Sequence, residues 1–301
     1  AMYCFGRKAP PASWTPRPAP APVAGSGPVA HVQVLPTEII VAPGEAVQFR
    51  TRLFDEKGRF LREGTAAWTL EGLRGEIGAD GRYTPPPGGY AGRVKAAVDG
   101  IEGAARVRVV PPLPWELQFA SLKLGPPPPQ WVGSTGKFTV RDIEGTNRLV
   151  KLADNPFTKR ARVFMGPANW HDYTVQMDVQ ATERRRQMGD AGVIAQRYAL
   201  ILFGNDQRVE IQSWQAHTAR TLRQPFPWEK DTWYTVKLRV ESLPDGKVRA
   251  SGKVWPAGEP EPEAWTIQQL DAVGNREGSA GIYADAPFEI FFDNLKVTSN
   301  Q

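Results

Sequence analysis

Apolar and polar side chains alternate with a period of two along most of the chain, the signature of half-buried β-strands. Between His31 and Pro112 the alternation comes in short bursts bounded by Gly, Pro or Asp, among them HVQVLP, AVQFRTRLFD, GTAAWTLE and AARVRVV. Seven such bursts in about 80 residues predict a small β-sandwich. Beyond Pro112 the same reading gives about eleven strands in about 180 residues, which predicts two stacked antiparallel sheets in a jelly roll. Helical periodicity is confined to EPEAWTIQQLDAV, residues 261–273. The fold class is therefore all-β, a small sandwich followed by a larger one.

Proline marks the boundaries. Ala9 to Pro28 contains seven prolines among small residues, a composition that favours extended polyproline II over a packed core. A second run from Pro111 to Trp131 removes backbone donors and stiffens the connection. Residues 1–30 are read as the end of an upstream strand plus a linker, 31–112 as one sandwich and 113–301 as the other.

Composition narrows the function classes. The 301 residues carry 37 Lys and Arg against 32 Asp and Glu, a net charge of +5. The densest basic cluster, Arg184 to Arg186, has the form of a solvated hairpin tip rather than a nucleic-acid arm. One cysteine, Cys4, excludes an internal disulfide and a Cys-rich zinc site, and the three histidines are widely spaced. No apolar run approaches the ~20 residues of a membrane helix. The first residues do not show a basic segment followed by an apolar core. Phosphate-loop, dinucleotide-binding, zinc-protease and serine-hydrolase motifs do not occur.

Three stretches resemble known families. Met2 to Phe5 is similar to the closing strand of a blade in PQQ-binding-like propeller repeats, which implies an upstream propeller as partner. Ala42 to Phe49, Asp55 with Gly58, Trp68 and Ile77 to Pro86 resemble bacterial Ig-like modules, with Trp68 expected in the core. Trp131, DYTVQMDV from Asp172, AGVIAQR from Ala191, VEIQSW from Val209, TWYTVKL from Thr232 and the closing FDNLKV resemble the concanavalin-like superfamily. More narrowly, they resemble the family of 3-keto-disaccharide hydrolases. These resemblances imply an extracytoplasmic setting, periplasmic or secreted.

The strand RVEIQSWQ concentrates the chemistry. Val209, Ile211 and Ser213 alternate with Arg208, Glu210, Gln212 and Trp214. An indole can cover the apolar face of a pyranose while carboxylate, amide and guanidinium groups address its hydroxyls. A wet outer face with cross-strand pairs, such as Glu210 with Arg197, explains the same charges. The resemblance carries Glu210, Gln212 and Arg197 onto the ligand face, with Glu210 as acid or base if the domain hydrolyses sugar. Hydrolysis ordinarily needs a second carboxyl group, and Asp178 and Glu241 lie on strands whose order the sequence does not give. Trp228 is expected to plug one end of the sandwich, and Trp170, Trp233 and Trp255 to lie in the core or at its rim. No cofactor is implied beyond a structural calcium ion, for which Asp293 and Asn294, with Asp154 and Asn155, are candidates. The expectation is a non-catalytic module binding carbohydrate or cell-envelope glycan, with the first sandwich as spacer. A glycoside hydrolase and a structural module of a propeller protein stand as alternatives.

Overall fold

The computed structural model describes residues 24–154, 159–213 and 220–300. Among these no α-helix occurs, and a short 3-10 turn lies at Phe119–Ser121. The helical pattern at 261–273 does not become a helix. Ile267–Asp271 instead forms the edge strand, paired along Val248–Pro256, with Ile267 and Asp271 buried at its two ends. Ladder pairing with a long neighbouring strand overrides a weak local periodicity.

The first sandwich has a four-stranded sheet ordered Glu38–Val41, Ile101–Val109, Tyr90–Val98 and Ala67–Glu71. A three-stranded sheet of His31–Leu35, Arg50–Phe54 and Phe60–Gly64 lies against it. Val34, Phe49, Tyr83, Val94 and Val107 fill the space between them. Trp68 packs against this core from its margin, 6.5 Å from the Phe49 ring, and is only half-buried rather than central.

The second sandwich has a larger and separate core. Its eight-stranded sheet runs Phe138–Ile143, Thr146–Lys151, Ile290–Ser299, Tyr173–Ala181, Tyr234–Ser242, Val248–Pro256 and Ile267–Asp271, with Trp115–Leu117 also paired to Ile290–Ser299. The six-stranded sheet opposite runs Arg160–Phe164, Gly281–Asp285, Asp190–Ala195, Tyr198–Phe203, Arg208–Ser213 and Thr221–Pro225. Both are antiparallel throughout, and the chain passes repeatedly from one to the other. The facing rows are fully buried: Val175, Met177, Val236 and Leu238 on one side meet Val193, Leu200, Val209 and Ile211 on the other. Trp228 is 2% exposed, donates its indole N–H to the Phe203 carbonyl at 3.2 Å and stacks edge-on to Tyr234. It closes one end of the core, as a plug would.

Candidate functional site

Because Val209 and Ile211 point into the core, Arg208, Glu210 and Gln212 point out of the six-stranded sheet. Glu210 is nevertheless only 2% exposed. Arg208 Nε donates to its Oε1 at 2.7 Å, Gln212 Nε2 donates to its Oε2 at 2.7 Å, and Arg223, directly across the ladder, brings Nε to 3.7 Å. Both carboxylate oxygens are engaged. Arg208 is equally committed, since it also pairs with Asp206 and lies 4.5 Å from the Phe203 ring.

Arg197 is not the cross-strand partner of Glu210. The strand before it ends at Ala195, which pairs with Tyr198, so Gln196 and Arg197 form a two-residue hairpin turn. Both are left-handed, at φ 50° and 65°, a conformation that costs a non-glycine residue about 1–2 kcal/mol. What holds the turn is Gln196, which is completely buried. Its Oε1 accepts from the Asp172 amide at 2.9 Å and its Nε2 donates to the Asn275 carbonyl at 2.9 Å. Its own backbone N–H donates to the Tyr173 hydroxyl at 2.7 Å, and that hydroxyl donates to the Gly278 carbonyl at 2.8 Å. Burial pushes the Tyr173 hydroxyl pKa up, so the phenol stays protonated. The anchored turn presents the Arg197 side chain to solvent.

Beside it lies a recess of about 340 Å³ lined by Phe164, Ala168, Ile194, Arg197, Gly278 and Ser279. A smaller hollow of about 40 Å³ shares Ile194 and Arg197 with it and reaches Arg162, Ile201, Gln212 and Ser213. The floor is an outer apolar cluster of Ile194, Ile201 and Tyr283, with Phe164, Ala199 and Phe203 against it, distinct from the main core. Of the residues singled out in the sequence, Arg197 and Gln212 thus meet at one surface, while Arg208 and Glu210 form the ionic frame beside it. Trp214 lies outside the described residues. Gln196, Phe164, Ile194 and Arg162 were not anticipated.

Larger clefts lie elsewhere. One of about 610 Å³ is walled by Trp115, Trp131 and the prolines Pro126 to Pro129. Another, of about 860 Å³, lies under the arginine hairpin, where Gln207 and Asn205 are already bonded to neighbouring backbone. Neither combines an apolar floor with side chains from neighbouring strands of one sheet face.

The other sequence candidates are dispersed. Asp178 and Glu241 both belong to the eight-stranded sheet, across the core from Glu210, and are bonded there to Thr235 and Arg239. Asp293 and Asn294 also lie on that sheet, opposite Asp178 at an irregularity in the ladder. The Asp293 carboxylate is paired with Arg148 and accepts from the Asn294 amide, while the Asn294 side chain donates N–H to Asp178 at 2.7 Å. A cation and N–H donors thus surround these oxygens. Asp154 pairs with Lys137, and Asn155 lies outside the described residues. Among the described residues no group of three or more His, Cys, Asp or Glu is placed to hold a metal ion.

One pair of acids on the outer face escaped the sequence reading. Asp190 and Asp285 are directly opposite on adjacent strands. Arg160 and Lys159 flank Asp285, whereas burial, reinforced by Asp285, pushes the Asp190 pKa up to about 6.

No family model and no curated protein matches the chain. Among solved structures it is similar to the carbohydrate-binding module CBM66 from Bacillus subtilis, at 14% identity and TM-score 0.41 over 56% of this chain and 95% of that one. It is also similar to the Emp47p carbohydrate recognition domain, at 10% identity and TM-score 0.42 over 62% of this chain and 96% of that one. The alginate lyase Aly36B is a further neighbour, at 12% identity and TM-score 0.42 over 62% of this chain and 97% of that one.

Proposed function

We propose that the second sandwich is a glycan-binding module that takes sugar on the outer face of its six-stranded sheet and does not turn it over. The observation that carries this is the anchored turn: a buried amide holds Arg197 in a strained conformation at the rim of an apolar recess that also holds Gln212. Backbone strain supported by a full set of hydrogen bonds is a frequent feature of ligand sites, because it presents a side chain with its entropy already reduced. Half-buried Phe164, packed over the buried Ile194, offers a surface for the C–H face of a sugar ring, and Arg197 and Gln212 offer planar donors for its oxygens. Glu210, with both oxygens engaged, supports the recess rather than a proton transfer. The first sandwich would then serve as a spacer in an extracytoplasmic protein.

Calorimetric titration against a saccharide panel tests this reading. Binding is expected for the intact chain and loss of binding for Arg197→Asn and Gln212→Ala, with unchanged circular dichroism. If no saccharide binds, the glycan reading fails. The hydrolase alternative is tested by incubation with 3-keto and ordinary disaccharides, where turnover abolished by Glu210→Gln would reverse the assignment.

A further inference from the structure

The charge around the recess is one-sided. Its lining, in both the larger and the smaller part, contains Arg162 and Arg197 and, among the described residues, no carboxylate. Acids do occur on the same face of the sheet, but none lines the recess: Asp190 accepts from the Gly204 amide beside Asp285, and the others have cations of their own. Glu210 is met by Arg208 and Arg223, and Asp285 by Arg160 and Lys159. Arg162 lies over the Tyr283 ring at 5.6 Å, on the wall opposite Gln212. Arg197 differs from these arginines, because among the described residues no Asp or Glu pairs with it. The remaining residues do not supply one either: positions 1–23, 155–158, 214–219 and 301 contain neither Asp nor Glu.

An arginine without a carboxylate is unremarkable on a mobile surface loop, but this one is held. Its backbone is fixed through Gln196, and its stem lies against Gly278, where an added Cβ would sit 2.8 Å from Arg197 Cγ and 2.8 Å from its backbone N. Gly278 is itself fixed, donating to the Trp170 carbonyl at 2.9 Å and accepting from Tyr173. The fold therefore spends backbone strain and a side-chain-free position on holding a guanidinium beside an apolar floor. A neutral sugar would leave that fork facing hydroxyls alone. A carboxylate matches its planar fork with two parallel N–H···O bonds; a tetrahedral oxyanion can bridge the same fork, so a sulfated probe is the control that separates the two.

We infer that the recess selects an acidic saccharide, a uronic-acid residue whose carboxylate is held by Arg197 with Arg162 adding positive potential, while its ring lies on Phe164. This rests on the glycan-binding reading and names the sugar class.

The test uses the full chain and four probes of matched length: a neutral hexose oligosaccharide, a uronic-acid oligosaccharide, its methyl ester and a sulfated neutral oligosaccharide. Titrations are run at low and high salt. The uronate is expected to bind roughly tenfold or more tighter than the neutral probe, the margin of a charge-assisted bidentate pair. Esterification and Arg197→Asn should each erase that margin, and added salt should narrow it. Asn tolerates the left-handed turn, so the variant keeps the hairpin. Arg197→Lys retains the charge but not the fork and should recover only part of the preference, while Gly278→Ala, which leaves every charge in place, should reduce it. Neutral and acidic probes binding alike, with Arg197→Asn weakening both equally, would overturn the inference and leave the glycan reading standing. Stronger binding of the sulfated probe than of the uronate would overturn the carboxylate assignment. If none of the four binds, both readings fall together.

Discussion

The hydroxyl of Tyr173 accepts the backbone N–H of Gln196 at 2.7 Å while donating to the Gly278 carbonyl at 2.8 Å, so one fully buried phenol ties together the two segments that position Arg197. Tyr173→Phe removes the link without changing the packed ring. Two buried backbone groups lose their partner, at about 1–3 kcal/mol each. The variant is expected to lose about 2–4 kcal/mol of stability, a fall in Tm of roughly 5–15 °C for a sandwich of this size. Its saccharide affinity should also fall, although Tyr173 lines neither recess. Thermal unfolding and titration on the same sample check both, and an unchanged Tm would mean that the hydroxyl is dispensable to the turn.

How much of this was legible in the sequence depends on the range of the interaction. The outward row of Arg208, Glu210 and Gln212 follows from period-two alternation alone, because Val209 and Ile211 must face a core. The turn at Gln196 and Arg197 does not, since neither residue is one that normally marks a left-handed hairpin. Its conformation is imposed by Asp172, Tyr173 and Asn275, residues 23 to 79 positions away. The same holds for Asp190 and Asp285, which become neighbours only because the next-to-last strand, Gly281–Asp285, returns to the six-stranded sheet. The Trp228 plug was readable from its loop setting, whereas the half-burial of Trp68 was not.

Glu210 supplies a second prediction. Its carboxylate neutralises the arginine pair and orients Gln212, so Glu210→Ala is expected to cost about 3 kcal/mol, the usual range for breaking one side of a buried pair. Asp206 continues to compensate Arg208, which places the loss at the lower end. Glu210→Gln keeps an acceptor for Arg208 and should lose less. Urea unfolding of the two variants, with a double-mutant cycle to Gln212→Ala, reads the coupling, and additive effects would show that Glu210 and Gln212 act independently.

Asp190 predicts a pH dependence whose sign is fixed. Its pKa in the folded chain is about 6, above the ordinary 3.8, mainly through burial. Between these values the folded carboxyl keeps its proton while the unfolded one has lost it. Stability therefore falls as pH rises from about 4 to about 6, and the full penalty, about 3 kcal/mol, stands at pH 7. Asp190→Asn keeps an acceptor for the Gly204 amide, 2.9 Å away, and carries no charge. The variant should match the parent near pH 4 and exceed it increasingly up to pH 6, with a constant gap above. A gap that does not change with pH would show that Asp190 ionises normally.

Lys151, in the same domain, tests the opposite sign. Its side chain is completely buried, and its ammonium donates to the Ala286 carbonyl. Burial lowers its pKa, an effect that Asp154 opposes and Lys137 reinforces. For a lysine so shifted the unfolded chain binds the proton more tightly, so the group destabilises the fold at neutral pH. That penalty is relieved as pH rises through the lowered pKa toward 10.5. Lys151→Met fills similar volume without a charge, and its gain is reduced by leaving the Ala286 carbonyl without this donor. The expected outcome is a net stabilisation of about 1–2 kcal/mol at pH 7.5 that shrinks by pH 10, read from paired urea unfolding curves. If the methionine variant is instead the weaker at pH 7.5, the hydrogen bond to Ala286 outweighs the cost of burying the ammonium.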